Sequence, residues 1–564
     1  MSNCSVCPDE TTPKKAGEVS VVCAEPNGWL FSTRRTDVSP GIEELELSAE
    51  SPAETTPPAF TVKFEIPKKG VQHVWHPFEE RFPCCWTDQA SSLCSGLPVR
   101  ANFDDSENNT LTFAVSDALH ALSFRTDVGM DNGNRHILVF ATSFFGEAAP
   151  PRKSYAVRFR IDMRKVFWSD AVSDAVAWIL ETAGIRPAVP PPCAWEPPYS
   201  SWYVFRQTVS QAALDPEIER AAALGMKAVI LDDGWQTDRG AWGVNEKFPD
   251  LKAQVDKAHA LGMKYLLWFG LPHVSADSPM RKQFDGKYID DKPDCWGLYN
   301  LDPRYPDVRA HLVKRLTDLV RDYGLDGFKL DFIDQFVARD PDPAAAKGFA
   351  GCDTVSVPLA AQRLLSEIYA GVTTAKPDAM IEFRQRYVGP LVRQYGHMLR
   401  ANDCPADYEA NRYRTLALRI TSAGSAVHSD MLMWRTDDTP EEVKRQVWNV
   451  IFSVVQYSAF LGDLPPAHLA AIRETIDFAK AHRETLLFGK LTPHRPDLGY
   501  PLVEAESGAE RIVAVYAPEF IAKLPGDGKR TILVNATTVS SLVVEDRRGL
   551  RRIGIAPSAT LALD

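Results

Sequence analysis

The hydrophobic pattern of the chain changes period twice. From about residue 17 to residue 165, apolar and polar residues alternate in short runs: Val19 to Cys23, Glu43 to Leu47, Thr61 to Ile66, Leu111 to Val115, His136 to Thr142 and Tyr155 to Ile161. Gly, Pro, Asp and Asn separate them. Alternation of period two marks strands with one buried face, and a series of short ones predicts an antiparallel β-sandwich. A helix is expected near Ser169 to Thr182, then a proline-rich connector from Arg186 to Pro198.

Beyond the connector, β-branched runs alternate with amphipathic helices. Strands are expected at Ser201 to Phe205, Lys227 to Leu231, Lys264 to Phe269, Gly327 to Phe332, Ala379 to Phe383, His397 to Ala401 and Ser425 to His428, with an eighth near Tyr457 to Phe460. Helices Asp215 to Leu224, Leu251 to Leu261 and Asp307 to Tyr323 are followed by Gly225, Gly262 and Gly324, suited to left-handed caps. Helices Leu359 to Ala370 and Glu441 to Val455 continue the pattern. Eight strand–helix repeats predict a (β/α)8 TIM barrel in an α/β chain. An open doubly wound sheet would want a Gly-rich phosphate turn after its first strand, and SSWYVFRQT has none. Helix Pro466 to Glu484 ends the barrel, and the runs Arg511 to Tyr516, Thr531 to Val534 and Ser541 to Val544 predict a small C-terminal β-domain. The expected division is 1–185 for the β-sandwich with its linker helix, 186–488 for the barrel and 489–564 for the C-terminal β-domain.

Composition narrows the function classes. In 564 residues, 45% are hydrophobic and 24% charged, as in a globular protein. The net charge of -11 argues against a nucleic-acid or anionic-membrane partner. The start, MSNCSVCPDETTPKK, has no apolar leader core and no stretch is long and apolar enough to span a bilayer, so a cytoplasmic location is expected. The ten cysteines lack disulfide or zinc spacing, and Cys4-x-x-Cys7 has no second pair. No metal and no cofactor are expected, and a homo-oligomer is left open.

Acidic residues gather where a barrel does its chemistry, at the C-terminal ends of strands: Asp232 and Asp233 in LDDGW, Asp331 and Asp334 in FKLDFID, Glu382 in IEFRQR, Asp403 and Asp407 in RANDCPAD, and Asp430 in HSDM. Any one of them has an ordinary explanation as a helix cap or arginine partner. The whole ring fits a reaction that needs two carboxylates about one bond, glycoside hydrolysis, with a small oligosaccharide or glycoside as partner. Trp202, Trp235, Trp242, Trp268, Trp296 and Trp434 lie near the same ends, as sugar-stacking rings or as core. There is no HExxH, Walker loop or nucleophile-elbow serine.

The run Leu231-Asp232-Asp233-Gly234-Trp235, with Trp242-Gly243, Lys247-Phe248-Pro249, Gly262-Met263-Lys264, Leu267-Trp268-Phe269 and Gly327-Phe328-Lys329-Leu330-Asp331, resembles glycoside hydrolase families 36 and 27, family 36 more closely. The resemblance implies a retaining, exo-acting, α-galactosidase-like hydrolase. It implies Asp331 as nucleophile, Lys329 as a ligand of sugar hydroxyls, Asp232 and Asp233 as acceptors for ring hydroxyls and Trp268 as a pocket wall. The acid/base, in a Ser-Asp-x-x-Asp segment of the family, maps to Asp403, with Asp407, Asp430 and Asp437 as alternatives. Trp202, Arg386 and Asp407 are further substrate-binding candidates. The Cys- and Gly-rich turn usual after the fifth strand is replaced by Glu382-Phe383-Arg384-Gln385-Arg386, whose arginines would pair with Glu382 or a neighbouring acid, or read a polar substituent of the sugar. LDGFKLDF also resembles family 31 α-glucosidases and α-xylosidases, and a carbohydrate-binding protein on an inactive barrel is the non-enzymatic alternative.

Overall fold

The computed structural model describes residues 19–563 other than 69, 78–87, 131 and 132; Cys4 and Cys7 lie outside the described residues. The N-terminal region holds two antiparallel sheets. One runs Val19–Val22, Phe60–Pro67, His136–Phe144, Leu122–Met130, Gln89–Ser91 and the other Leu30–Ser39, Ile42–Thr55, Arg152–Asp162, Asn109–Val115, Val99–Phe103, His73–Trp75. Alternate residues of the first, such as Val62, Phe64, Leu138 and Phe140, share one apolar core with Leu45, Leu47, Phe113, Val157 and Phe159 of the second.

The central region is a parallel sheet in sequence order: β1 Pro198–Ser200, β2 Ala228–Leu231, β3 Lys264–Gly270, β4 Gly327–Asp331, β5 Met380–Arg384, β6 Met398–Arg400 and β7 Ala426–His428. Around it lie α1 Gln211–Leu224, α2 Leu251–Ala260, α3 Pro306–Tyr323, α4 Val357–Ala375, α5 Tyr408–Thr421, α6 Pro440–Asn449 and α7 Pro466–Ala481. Parallel bridges join His428 to Val454 and Tyr199 to Tyr457, so the segment 454–457 meets both the last strand and the first. That pairing begins upstream of the expected Tyr457 to Phe460. The first strand is likewise displaced from Ser201 to Phe205, where Trp202–Phe205 form a single helical turn. A short apolar run suits a strand or a buried turn equally, and here pairing with β2 selects Pro198–Ser200.

Local chemistry sets the helix ends. Ser210 and Asp250 accept hydrogen bonds from the amides of Ala213 and Ala253, each cap contributing about 1 kcal/mol. Gly225 and Gly324 end α1 and α3 in the left-handed region, at φ 99° and 72°. Gly327 opens β4 at φ 141°, where an added Cβ would stand 1.8 Å from the Met380 carbonyl oxygen, so only glycine lets β4 and β5 approach.

Side chains alternate across each strand, which stacks the inward positions in layers. The lowest is apolar: Ile230, Leu266, Met380, Met398 and Ala426 pack together with Ala194. Two residues further along each strand stand Asp232, Trp268, Glu382, Arg400 and His428, with Lys329 paired in register between Trp268 and Glu382. The intervening residues, among them Val229, Leu231, Leu267, Phe328, Leu330, Ile381, Phe383 and Val427, belong to the large core shared with the helices. The interior of the sheet is therefore apolar at its lower end and charged above.

The loop from β4 to α4 is fastened by buried ions. Arg304, with 1% of its side chain exposed, bonds both carboxylate oxygens of Asp302 and both of Asp342, at 2.7–3.0 Å. Further along, Arg309 holds Asp353 at 2.7 and 3.1 Å.

After α7 come a five-stranded sheet, Lys490–His494, Leu502–Ser507, Glu510–Val515, Arg530–Asn535 and Thr560–Leu563, and a three-stranded one, Ala522–Lys523, Ser541–Asp546 and Gly549–Gly554. His494 ties this region to the N-terminal one: Nδ1 lies 2.8 Å from Glu107 and Nε2 3.6 Å from Glu504. Burial would lower its pKa, but hydrogen bonds to the two carboxylates raise it to about 9. A raised pKa stabilises the fold fully below about 6.5, and that stabilisation is lost as pH climbs through 9. Thermal unfolding is therefore expected to weaken between pH 6.5 and 9.5, by roughly 2 to 4 °C per kcal/mol, and the decline should be shallower in His494→Gln. Equal slopes for the two proteins would show that the linkage carries no stability.

Candidate active site

A cavity of about 880 Å3 opens above the charged layers. It is lined by Trp202, Asp232, Asp233, Trp268, Lys329, Asp331, Arg386 and Asp403, together with Asp334, Arg239 and Arg384. Eight of the nine expected site residues thus meet at one place. The ninth, Asp407, does not line it: its carboxylate accepts the Ala410 amide at 3.0 Å and starts α5 as an N-cap. Of the six tryptophans, Trp202, Trp268 and Trp296 line the cavity, whereas Trp235 and Trp242 are wholly buried. Trp242 stacks on Phe269 with centroids 4.0 Å apart, and Trp235 donates Nε1 to the Trp268 carbonyl. Trp434 is also buried, edge-on to Tyr457.

Asp331 ends β4, where the inward alternation reaches the cavity. Its Oδ1 accepts from Arg384 Nε at 2.8 Å, the Tyr387 hydroxyl at 2.7 Å and the Phe332 amide at 2.9 Å; its Oδ2 accepts from Trp268 Nε1 at 3.0 Å. Burial alone would favour the neutral acid, but the charges of Arg384 and Lys329 and these hydrogen bonds hold the group well below the usual carboxylate range. One oxygen is fastened by three donors and the other by one. Phe332 turns left-handed at φ 64°, which carries the chain away directly after the carboxylate.

Lys329 Nζ bonds Asp232 Oδ2 at 2.7 Å, a pair almost fully enclosed; burial raises the Asp232 pKa against the lysine's pull. Asp233 is more heavily occupied, since Gln207, Gln236 and Arg239 donate to its two oxygens at 2.5–2.7 Å. Tyr387 was not singled out from sequence; Arg384 was expected to pair with Glu382 or a neighbouring acid or to read a sugar substituent, and the acid it meets is Asp331. The signal was spacing: Glu382 and Arg384 share the inward face of β5, but Glu382 lies one layer lower and bonds Gln456, while Arg384 reaches Asp331.

Asp403 follows β6, its side chain nearly half exposed. Arg400 Nη2 donates to its Oδ1 at 2.9 Å, which favours the ionised carboxylate. Burial favours the proton, but the charges of Arg400, Lys329 and Arg384 together outweigh it and hold Asp403 below its ordinary value. Asp430, enclosed beneath, is pushed the other way, upward, by burial and by the nearby Asp403 charge.

Residues 200–348 match the family model described as Melibiase. A curated relative, α-galactosidase 2 of Pediococcus pentosaceus, is 32% identical over 145 residues, 23% of this chain and 20% of the relative. The A type blood α-D-galactosamine galactosaminidase of Flavonifractor plautii is 29% identical over 162 residues, 25% of this chain and 15% of that protein. The chain thus spans a fifth or less of these relatives' lengths. Among solved structures, a family 36 α-galactosidase of Geobacillus stearothermophilus bound to 1-deoxygalactonojirimycin superposes with TM-score 0.66 at 14% identity, over 95% of this chain and 80% of that one. An α-galactosidase of Thermus thermophilus gives 0.57 at 17% identity, over 84% and 98%. Residues 200–348 thus carry Melibiase-type sequence, and the chain shares the fold of the family 36 α-galactosidase on which it superposes.

Proposed function

We propose that the chain is a retaining, exo-acting α-glycoside hydrolase that removes a terminal galactose-type sugar from an oligosaccharide or glycoside. Asp331 is the nucleophile and Asp403 the acid/base. The observation that carries this reading is the ionised Asp331 carboxylate at the end of β4, with Oδ1 fixed by three donors and Oδ2 turned to Trp268. Oδ2 attacks the anomeric carbon while Asp403 protonates the leaving oxygen; water, deprotonated by Asp403, then cleaves the glycosyl ester. Asp232, Asp233, Lys329 and Trp268 orient the ring, and Trp202 and Arg386 border the outer part of the cavity. The apolar layer beneath makes the cavity blind, which suits a chain end. In this reading the segment 454–457 completes an eight-stranded barrel between an N-terminal β-sandwich and a C-terminal β-domain.

The test is a panel of aryl α-glycosides, galactoside, N-acetylgalactosaminide, glucoside and xyloside, with the first product followed by proton NMR. Hydrolysis of a galactose-type member with the α-anomer formed first is expected. A β-anomer as first product would overturn retention, preference for glucoside or xyloside would move the specificity to the family 31 type, and no hydrolysis with retained sugar binding would favour a carbohydrate-binding protein.

A further inference from the structure

At the inner edge of the cavity one guanidinium, that of Arg400, stands among three carboxylates. Arg400, fully buried, gives Nη1 to Asp430 Oδ1 at 2.5 Å and Nη2 to Asp403 Oδ1 at 2.9 Å, and its Nε stands 3.7 Å from Glu382 Oε1 without a hydrogen bond. Glu382 and Asp430 are closed to solvent, whereas 46% of the Asp403 side chain is open. Asp430 Oδ2 also accepts the Tyr203 hydroxyl at 2.8 Å and the Cys404 amide at 2.7 Å. Asp430 and Asp403 compete for the same guanidinium, one closed to water and the other half open, so their protonation is linked.

We propose that Asp430 is a positioning residue of the acid/base: by sharing the Arg400 guanidinium with Asp403, it weakens the ionic hold on Asp403 and lets that carboxyl carry a proton when substrate arrives. The proposal rests on the reading of Asp403 as acid/base. Lys329, Arg384 and Asp331 also act on Asp403 through their charges, but of these cations only Arg400 bonds both carboxylates. Lys329 is bound to Asp232, and Arg384 to Asp331. Arg414 donates to the Asp403 carbonyl at 2.8 Å. Burial keeps His428 neutral, with a pKa near 4, and raises Glu382, which has Gln456 as its hydrogen-bond donor. When Asp430 is ionised it draws Arg400 and Asp403 gains proton affinity; when Asp430 is neutral, Arg400 belongs to Asp403.

Asp430→Asn removes the competing charge. Two readouts test the idea in the full chain. The first is the alkaline limb of kcat/KM on an α-galactoside with a poor leaving group, expected to move down by about one pH unit. The second needs no turnover: a water-soluble carbodiimide with an amine labels protonated carboxyls, and the labelling midpoint of Asp403, read by peptide mass against pH, should fall by the same amount. Tyr203→Phe keeps the carboxylate but removes one donor to its anion, and should move both readouts in the same direction by less. Unmoved midpoints in both variants, or a kcat loss equal for good and poor leaving groups with a fixed pH limb, would reduce Asp430 to a structural role. If no glycoside is hydrolysed the function falls, while the labelling midpoint still decides whether Arg400 is shared.

Discussion

Asp331→Asn is expected to lose about 10^3-fold or more in kcat/KM on an aryl α-galactoside while keeping its fold. The amide cannot form the glycosyl ester through which both displacements pass, so the whole two-step route closes. The remaining oxygen can still take the bonds from Arg384, Tyr387 and the Phe332 amide, which keeps the local geometry. The new amide nitrogen, however, faces the Trp268 Nε1 donor, and Arg384 and Lys329 lose their shared anion. A stability cost of about 1–3 kcal/mol is expected from those unpaired groups. Steady-state kinetics with a circular-dichroism melt checks both parts. Activity within tenfold of the parent would remove Asp331 from the nucleophile role.

Asp403→Ala is expected to separate substrates by leaving group. On an activated aryl galactoside the first displacement needs little protonation and proceeds, whereas on an alkyl galactoside or an oligosaccharide turnover should fall by about 10^2–10^4-fold. Azide, a nucleophile that needs no base, should restore turnover on the activated substrate and release the α-galactosyl azide. Asp430 is not a substitute acid: it is enclosed beneath the cavity and keeps the Arg400 bond that Asp403 gives up. Equal losses on both kinds of substrate, with no azide product, would send the acid/base role to another residue.

What the sequence revealed follows from how local each signal is. The motif acids were readable because LDD, KLD and ANDC each stand at the C-terminal end of a short apolar strand run, the end on which a barrel opens its cavity. Helix caps were just as local: Gly225 and Gly324 are left-handed by their own lack of a Cβ. The first strand was misread because Trp-Tyr-Val-Phe is apolar in any conformation, and only pairing with a distant strand distinguishes Pro198–Ser200 from the turn after it. Asp407 and Asp403 look alike in RANDCPAD. One caps a helix and the other meets Arg400, a difference made by the bend between them, where Ala406 is left-handed at φ 60°. The partner of Arg384 was hidden because it lies 53 residues away on β4, not beside it on β5.

The double grip of Arg304 on Asp302 and Asp342 bears on how substrate enters the cavity. Asp334 and Gln335 form part of the cavity wall at the start of a loop that this guanidinium, and then Arg309, hold to the body of the barrel. Opening that loop would break the Arg304–Asp342 and Arg309–Asp353 pairs and leave Arg304 with Asp302 alone. The wall is therefore set during folding, and a sugar entering the cavity meets little further ordering cost there. In the proposed hydrolase, substrate is therefore expected to pass beside the exposed Trp296 indole rather than through a swinging flap on this side.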